Sequence, residues 1–378
     1  MKLFIFLVAC IAAASAASDV PCGTDLTNLW LDVLVVVDKS VGMTQAKLTQ
    51  ARDSIIGTFQ NGTKIGTTRS DKDPRTTRIG FITYTTTATL TAKPDLCQSY
   101  SDLVHVANTV FTNPGNQSDS LMETAMQMAE DQFALGAKLP GRANFPKLLI
   151  VMASSLTDET LDAAEEIAGR MKANGVTIAT VAYQHDEQFH RYMSLIASSG
   201  RNYTHNSDHV VEHLQHTATD ANCVCPSGYK TLFLQRVNKL AQCVWSYDNS
   251  LSWSNAKLKC QNDVKNGFLA TEYSKEKHEF LDEFVRYRFS SRHDFFNGLH
   301  YVNGGWFWEQ PEGMPLVKLS GFSKWSSGFP KTSSTNVVVT NVKSETYETS
   351  WENTNTLYKD THRFVCEVPA CDTDHFCK

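Results

Sequence analysis

The sequence predicts an α/β chain in two parts, a doubly wound and mostly parallel sheet followed by a smaller α+β domain. Three observations predict it. Short apolar runs of strand length alternate with helical patterns from residue 30 to 220, the order that builds a parallel sheet through right-handed crossovers. The texture changes at Asn222-Cys-Val-Cys-Pro-Ser-Gly228, beyond which tryptophans and turn residues become dense. The length of 378 residues suits two domains, and 42% hydrophobic with 20% charged residues excludes wholesale disorder.

Met1-Lys2 precedes an apolar run, Leu3 to Ala14, and small residues lead to a cleavage point near Ala16 or Ala17. This is the pattern of a signal peptide over residues 1–17. No later run approaches the ~18–20 apolar residues that span a bilayer, so the mature protein is expected to be secreted.

Leu31 to Val37 is nearly all apolar and ends at Asp38, as in a strand buried on both faces. Thr44 to Phe59 carries apolar residues at helical spacing, and Arg78 to Tyr84 with Ala88 to Ala92 forms a Thr-rich strand pair. Helical patterns follow at Asp102 to Val110 and Leu121 to Leu135. Lys147 to Ala153 is a buried strand, Thr160 to Ala173 a helix, and Val176 to Ala182 the next strand. Two further helices lie near Gln188 to Ala197 and Val210 to Ala218. In the second part helical periodicity survives at Trp253 to Asp263 and Ser274 to Arg288, and the rest reads as short strands and loops. Domains are therefore expected at 28–220 and 225–367, with a Cys-containing tail at 368–378. Few contacts are forced across 221–225, so the two are expected to fold independently.

Lys plus Arg number 35 against 40 Asp plus Glu, a net charge of −5 with no long basic run. Nucleic acid and anionic membrane surfaces need clustered positive charge and are excluded as partners. Neither a Gly-x-Ser-x-Gly elbow nor a phosphate-cradling Gly-rich loop occurs, and His278-Glu279-Phe-Leu-Asp282 misses the last ligand of a zinc-protease motif. Catalysis is a remote alternative.

In a parallel sheet ligands bind beyond the strands' carboxyl ends. There stand Asp38-Lys39-Ser40-Val41-Gly42, Ser118-Asp119-Ser120 and Ser154-Ser155. The Asp-x-Ser motif closing a buried strand, with this order of elements, resembles the von Willebrand factor type A domain over residues 30 to 220. The resemblance implies a metal-ion-dependent adhesion site, with Asp38, Ser40, Ser120 and Ser154 at its positions. Gly42 replaces the family's second Ser, and Ser154 its second Asp. A hydroxyl attracts a divalent ion much less than a carboxylate does. Asp38 and Ser40 as turn or helix-capping residues are the alternative reading, and no cofactor is expected unless Mg²⁺ or Ca²⁺ binds there. His209, His213 and His216 share a helical face, with His205 close by, and read as a solvated face rather than a zinc site.

Trp253-Ser-Asn-Ala-Lys-Leu-Lys-Cys260, Gly267-Phe-Leu-Ala270, Asn297-Gly298-Leu299, Trp306-Phe-Trp308 and Arg363-Phe-Val-Cys366-Glu resemble, in order, landmarks of a C-type-lectin-like domain over residues 225 to 367. That resemblance implies Cys260–Cys366 and Cys225–Cys243 disulfides. It also puts Val338 and Thr356 where the family's second core pair of cysteines stands. The calcium motifs are altered: Phe329-Pro330-Lys331 keeps only the proline of the long loop, and Trp351-Glu352-Asn353 keeps two oxygen-bearing side chains. Ca²⁺-dependent sugar binding is not expected. The candidate ligand surface is Trp325, Trp351, Glu352 and Asn353.

Cys10 leaves with the signal, so nine of ten cysteines remain. In an oxidising compartment they read as disulfides. Cys371 and Cys377 are close enough to form a small loop together. Cys22 is assigned to Cys223 because a domain often brings its ends together, which leaves Cys97 free or intermolecular. Acceptor sequons stand at Asn61, Asn116 and Asn202.

The joint order of signal, type A domain and lectin-like domain resembles a family of secreted nematode proteins linked with host defence. It implies extracellular recognition of a protein or glycan ligand, microbial ligands included, in innate immunity. An adhesive matrix component acting through the type A domain is the alternative. The sequence leaves the oligomeric state open.

Overall fold

A computed structural model describes residues 19–60, 62–67, 75–226, 228–234, 238–289, 294–331, 338–343, 348–354 and 360–377. The signal segment 1–17, the sequon asparagine Asn61 and Thr356 lie outside these described residues. The chain divides into two compact units. The first takes in Pro21–Ser227, Gln235–Ala241 and Ala370–Lys378, and the second Gly228–Leu234 and Gln242–Pro369 with Asp19 and Val20.

The first unit is built around a six-stranded sheet. In chain order its elements are β1 (Asp32–Asp38), α1 (Gln45–Thr58), β2 (Arg78–Tyr84), β3 (Ala88–Ala92), α2 (Tyr100–Val110), α3 (Met122–Ala137), β4 (Lys147–Ala153), α4 (Asp158–Ala173), β5 (Val176–Ala182), α5 (Glu187–Ile196), β6 (Asn202–Thr204) and α6 (Val210–Ala221). The strand order is β3-β2-β1-β4-β5-β6, parallel except for the β2–β3 hairpin.

Every residue of β1 is buried, because the strand's alternating side chains enter different cores. Val33, Val35 and Val37 pack with Leu48 and Ile55 of α1, Leu103 of α2 and Leu214 of α6. Leu34 and Val36 pack on the opposite face with Met126 of α3, Ile167 of α4 and Met193 of α5. The apolar run of β1 thus records burial on both sides, while each helix carries a single apolar stripe.

Two features bring the chain's far ends into this unit. The Cys22–Cys223 disulfide ties its N-terminal approach to the end of α6. Residues 370–377, which read as a polar tail, fold on the same unit. The Trp30 indole donates to the Asp372 carbonyl at 3.1 Å and meets the Phe376 ring edge-on at 4.9 Å. The Asp372 carboxylate accepts the Gly23, Asp374 and His375 N–H groups, and Cys371 is bonded to Cys377. Cys97 is a free, buried cysteine, and burial first, with Asp102 second, drives its thiol up to about 11. An intermolecular bond at Cys97 would require the core to open.

The second unit contains β7 (Lys230–Leu234), β8 (Asn238–Ser252) from Gln242 onward, α7 (Trp253–Asp263), β9 (Phe268–Leu269), α8 (Lys275–Arg288), β10 (Phe295–Val302), β11 (Gly305–Trp308), β12 (Val317–Lys318), β13 (Val338–Lys343), β14 (Thr349–Thr354) and β15 (Thr361–Pro369). Its sheet runs β12-β11-β10-β15-β8-β7, with β13 joining β10 to β14. The Cys260–Cys366 disulfide fastens α7 to β15 within a core of Trp253, Leu269, Phe296, Val338 and Phe364. Val338 is therefore a packed core residue. Cys225 and Cys243 are both disulfide-bonded.

Among the described residues of this unit, charges are buried only in pairs, as desolvation demands. The Lys277 ammonium, fully buried, donates to Thr271 Oγ1 at 2.6 Å and to the buried Glu367 carboxylate at 3.0 Å. Glu272 is the centre of a second network. Its carboxylate accepts from Asn297 at 2.8 Å, Asn341 at 2.6 Å, the Trp351 indole at 3.0 Å and His278 Nδ1.

Candidate functional site

At the carboxyl end of the first sheet, Asp38 closes β1 and Ser154 follows β4. Both are buried. One Asp38 oxygen accepts the Ser40 N–H at 2.7 Å. The other accepts both the N–H and the hydroxyl of Ser154, at 3.0 and 2.8 Å. Ser40 Oγ lies 3.4 Å from Ser154 Oγ. Ser120 comes to the same end of the sheet just before α3. Its hydroxyl and that of Tyr84, the last residue of β2, are buried without a hydrogen-bond partner of good geometry. Burial, then the Asp38 carboxylate, pushes the Tyr84 hydroxyl well above its usual value.

Three of the four adhesion-site positions are thus in mutual contact and the fourth is nearby, but their bonding does not suit a divalent ion. Of the four adhesion-site positions only Asp38 is a carboxylate, and both of its oxygens already accept hydrogen bonds. A Cβ added at Gly42 would stand 2.5 Å from Ser154 Oγ. Ser154 therefore occupies the room that a serine at position 42 would need. Its hydroxyl is held by Asp38 rather than offered to a cation. Among the described residues, no three His, Cys, Asp or Glu side chains converge as a metal site would require.

The histidines nearby have other partners. His209 bonds to Glu212 at 3.0 Å, His213 stacks on Tyr203 at 4.9 Å, and His216 meets Arg201. His205 Nδ1 lies 3.0 Å from the Ala182 carbonyl, which makes it a donor.

In the second unit's long loop an amide–backbone clamp stands where the family's calcium motif is altered. Asn353 does not face solvent. Its Oδ1 accepts the Lys331 N–H at 2.7 Å and its Nδ2 donates to the Lys331 carbonyl at 2.8 Å, so the amide clamps the loop directly. The Lys331 ammonium stands over the Phe329 ring at 4.4 Å. Glu348, a second carboxylate close to Glu352 in sequence, is paired with Lys324 at 3.0 Å.

Trp351 must also be removed from the candidate ligand surface. It is fully buried, with its N–H on Glu272 and its ring against Trp308 and Phe322. Trp325 remains, half-buried, 4.9 Å from the ring of Trp306, which in turn meets Tyr301 at 5.4 Å. Glu352 is half-exposed. The accessible aromatic ledge is therefore Tyr301, Trp306 and Trp325. Trp306 stands two residues before the buried Trp308 on the same face of β11, at the edge of the core that Trp308 belongs to.

The folds of the two units are those of extracellular-type binding domains. Residues 32–217 match the von Willebrand factor type A domain family, and residues 249–368 match the lectin C-type domain family. The chain carries these two domains in that order, and both families are binding domains. It is 25% identical over 375 residues to C-type lectin domain-containing protein 160 of Caenorhabditis elegans, covering 94% of this chain and 56% of that protein. The chain thus spans about half the length of that curated relative. Among solved structures it is similar to proximal thread matrix protein 1 from the mussel byssus, at 15% identity over 52% of this chain and 48% of that one, with a TM-score of 0.39. It is also similar to human lithostathine, at 22% identity over 38% of this chain and 90% of that one, with a TM-score of 0.31. Among the described residues no helix is long and apolar enough to cross a membrane.

Proposed function

We propose that this is a secreted recognition protein of innate defence, binding an extracellular protein or glycan, including microbial glycans, without a divalent ion. The observation that carries the metal-free reading is the Asn353–Lys331 clamp. An amide that bonds both the N–H and the carbonyl of one residue holds the long loop in place and engages the Asn353 oxygen that a calcium ion would need. The half-buried Tyr301, Trp306 and Trp325 offer sugars a stacking surface that depends on ring faces and not on a cation. Secretion accords with the four disulfide-bonded pairs' worth of cysteines and with the signal-like first 17 residues. The link to defence rests on the order of the two domains.

The test is a glycan array and a bacterial-cell pull-down with the full chain, each run in calcium and in EDTA. Retention unchanged by EDTA and reduced by Trp325→Ala supports the proposal. Retention abolished by EDTA contradicts it.

A further inference from the structure

A cavity of about 300 Å³ opens in the first unit between the starts of α4 and α5, beyond the ends of β4 and β5. Leu156 and Phe189, both buried, form its apolar part. Asp158, Asp186, Tyr192 and Ser155 supply its polar part. At roughly 30 Å³ per water molecule the space is far larger than a bare ion needs. It suits a small organic group with an apolar stem.

The polar atoms are only partly engaged. Asp186 caps α5, one oxygen accepting the Phe189 N–H at 2.7 Å, and Asp158 accepts the Tyr192 hydroxyl through one oxygen. Each carboxylate keeps a second oxygen with no partner among the described residues. Ser155 Oγ is buried and unpartnered. No Lys, Arg or His lines the space, and Arg191, close enough to influence Tyr192, is exposed and outside the lining. The two helix N-termini contribute about half a positive charge each, against two full negative charges, so the cavity stays negative. An anion is disfavoured there. A neutral polyol would gain nothing from the charge.

We infer that this cavity takes a basic side chain of a protein ligand, an ammonium or guanidinium on an apolar stem. The cation would lie between Asp158 and Asp186, and its methylenes against Leu156 and Phe189. The inference concerns the first unit and stands or falls separately from sugar binding by the second.

The probe is butylguanidinium, titrated into the full chain by calorimetry, with n-butanol and a methyl glycoside as neutral controls. Weak saturable binding in the millimolar range is expected, given the few atoms involved. It should weaken about tenfold or more in Asp158→Asn/Asp186→Asn and with rising salt, because both changes remove charge attraction. Asparagine keeps the hydrogen-bond acceptor on Tyr192 and the cap on α5, so the thermal midpoint should barely move. Equal affinity in the double variant, equal binding of n-butanol, a glycoside that binds both proteins alike, or no saturable heat would each overturn the assignment.

Discussion

Glu272 accepts four hydrogen bonds, and the one from His278 fixes that ring's charge. His278 Nδ1 faces the Glu272 carboxylate and Nε2 faces the Thr349 carbonyl at 3.1 Å, so both nitrogens must donate and the ring is an imidazolium. Burial opposes that charge, but Glu272, the Thr349 carbonyl and Asp282 overcome it and raise the pKa. For Glu272 burial is likewise outweighed, by His278, Asn297 and Asn341, and its pKa is lowered. A histidine whose folded pKa is raised contributes stability fully below its unfolded value, near about 6.5, and loses it as pH climbs through the folded value. Wild type should therefore exceed His278→Gln in urea midpoint at acidic pH, with the gap closing toward alkaline pH; a pH-independent gap would contradict the imidazolium. Glu272→Ala strands four donors and should cost about 3–5 kcal/mol by the same measurement. Residue environment also separates the described sequons. Asn116 is exposed, whereas the Asn202 amide is half-buried, accepting from Thr180 at 2.8 Å and donating to the His190 carbonyl at 3.0 Å. Glycopeptide mapping of secreted protein should find Asn116 occupied and Asn202 largely bare; the reverse would show that β6 forms after glycan transfer.

At the scale of elements, the loops after β1 and β4 are matched to each other. Gly42→Ser alone should destabilise by about 1–3 kcal/mol, since its Cβ would meet Ser154 Oγ at 2.5 Å. Ser154→Ala alone loses a bond to a carboxylate, about 1.5–3 kcal/mol. Together they should cost less than their sum, because removing the hydroxyl leaves only Ser154 Cβ at 3.2 Å, which a small shift relieves. Additive costs in a chemical-denaturation cycle would mean that the two loops are not coupled. The strands and helices themselves were readable because each buries a periodic face: β1, β4 and β5 announce themselves as apolar runs, β2 with β3 as a Thr-rich pair, and α7 begins and ends at the residues its pattern implies. The edge strand β6 was not readable. Three half-buried polar residues, Asn202, Tyr203 and Thr204, carry no strand signal, and their pairing with β5 depends on tertiary placement. The candidate site divides the same way. Asp38, Ser40 and Ser154 follow from strand ends, but the burial of Trp351 depends on Glu272, far away in sequence, which no local pattern marks.

On the scale of the whole molecule, the first unit recruits residues that follow the second in sequence. Trp30 lies near one end of the chain and Phe376 near the other, and nothing in Asp372 to Cys377 advertises the contact. Deleting residues 370–378 should lower the first unit's thermal midpoint by roughly 2–4 °C for each kcal/mol lost, whereas an unchanged midpoint would make the Trp30 contacts dispensable. The central claim is that both positions where these families use divalent ions are closed by hydrogen bonds, Ser154 to Asp38 in one unit and Asn353 to Lys331 in the other. Isothermal titration of the full chain with CaCl₂ and then MgCl₂ tests it most directly. The account predicts no saturable heat from either ion. A dissociation constant in the micromolar range for either one, lost on Asp38→Ala or Asn353→Ala, would contradict it.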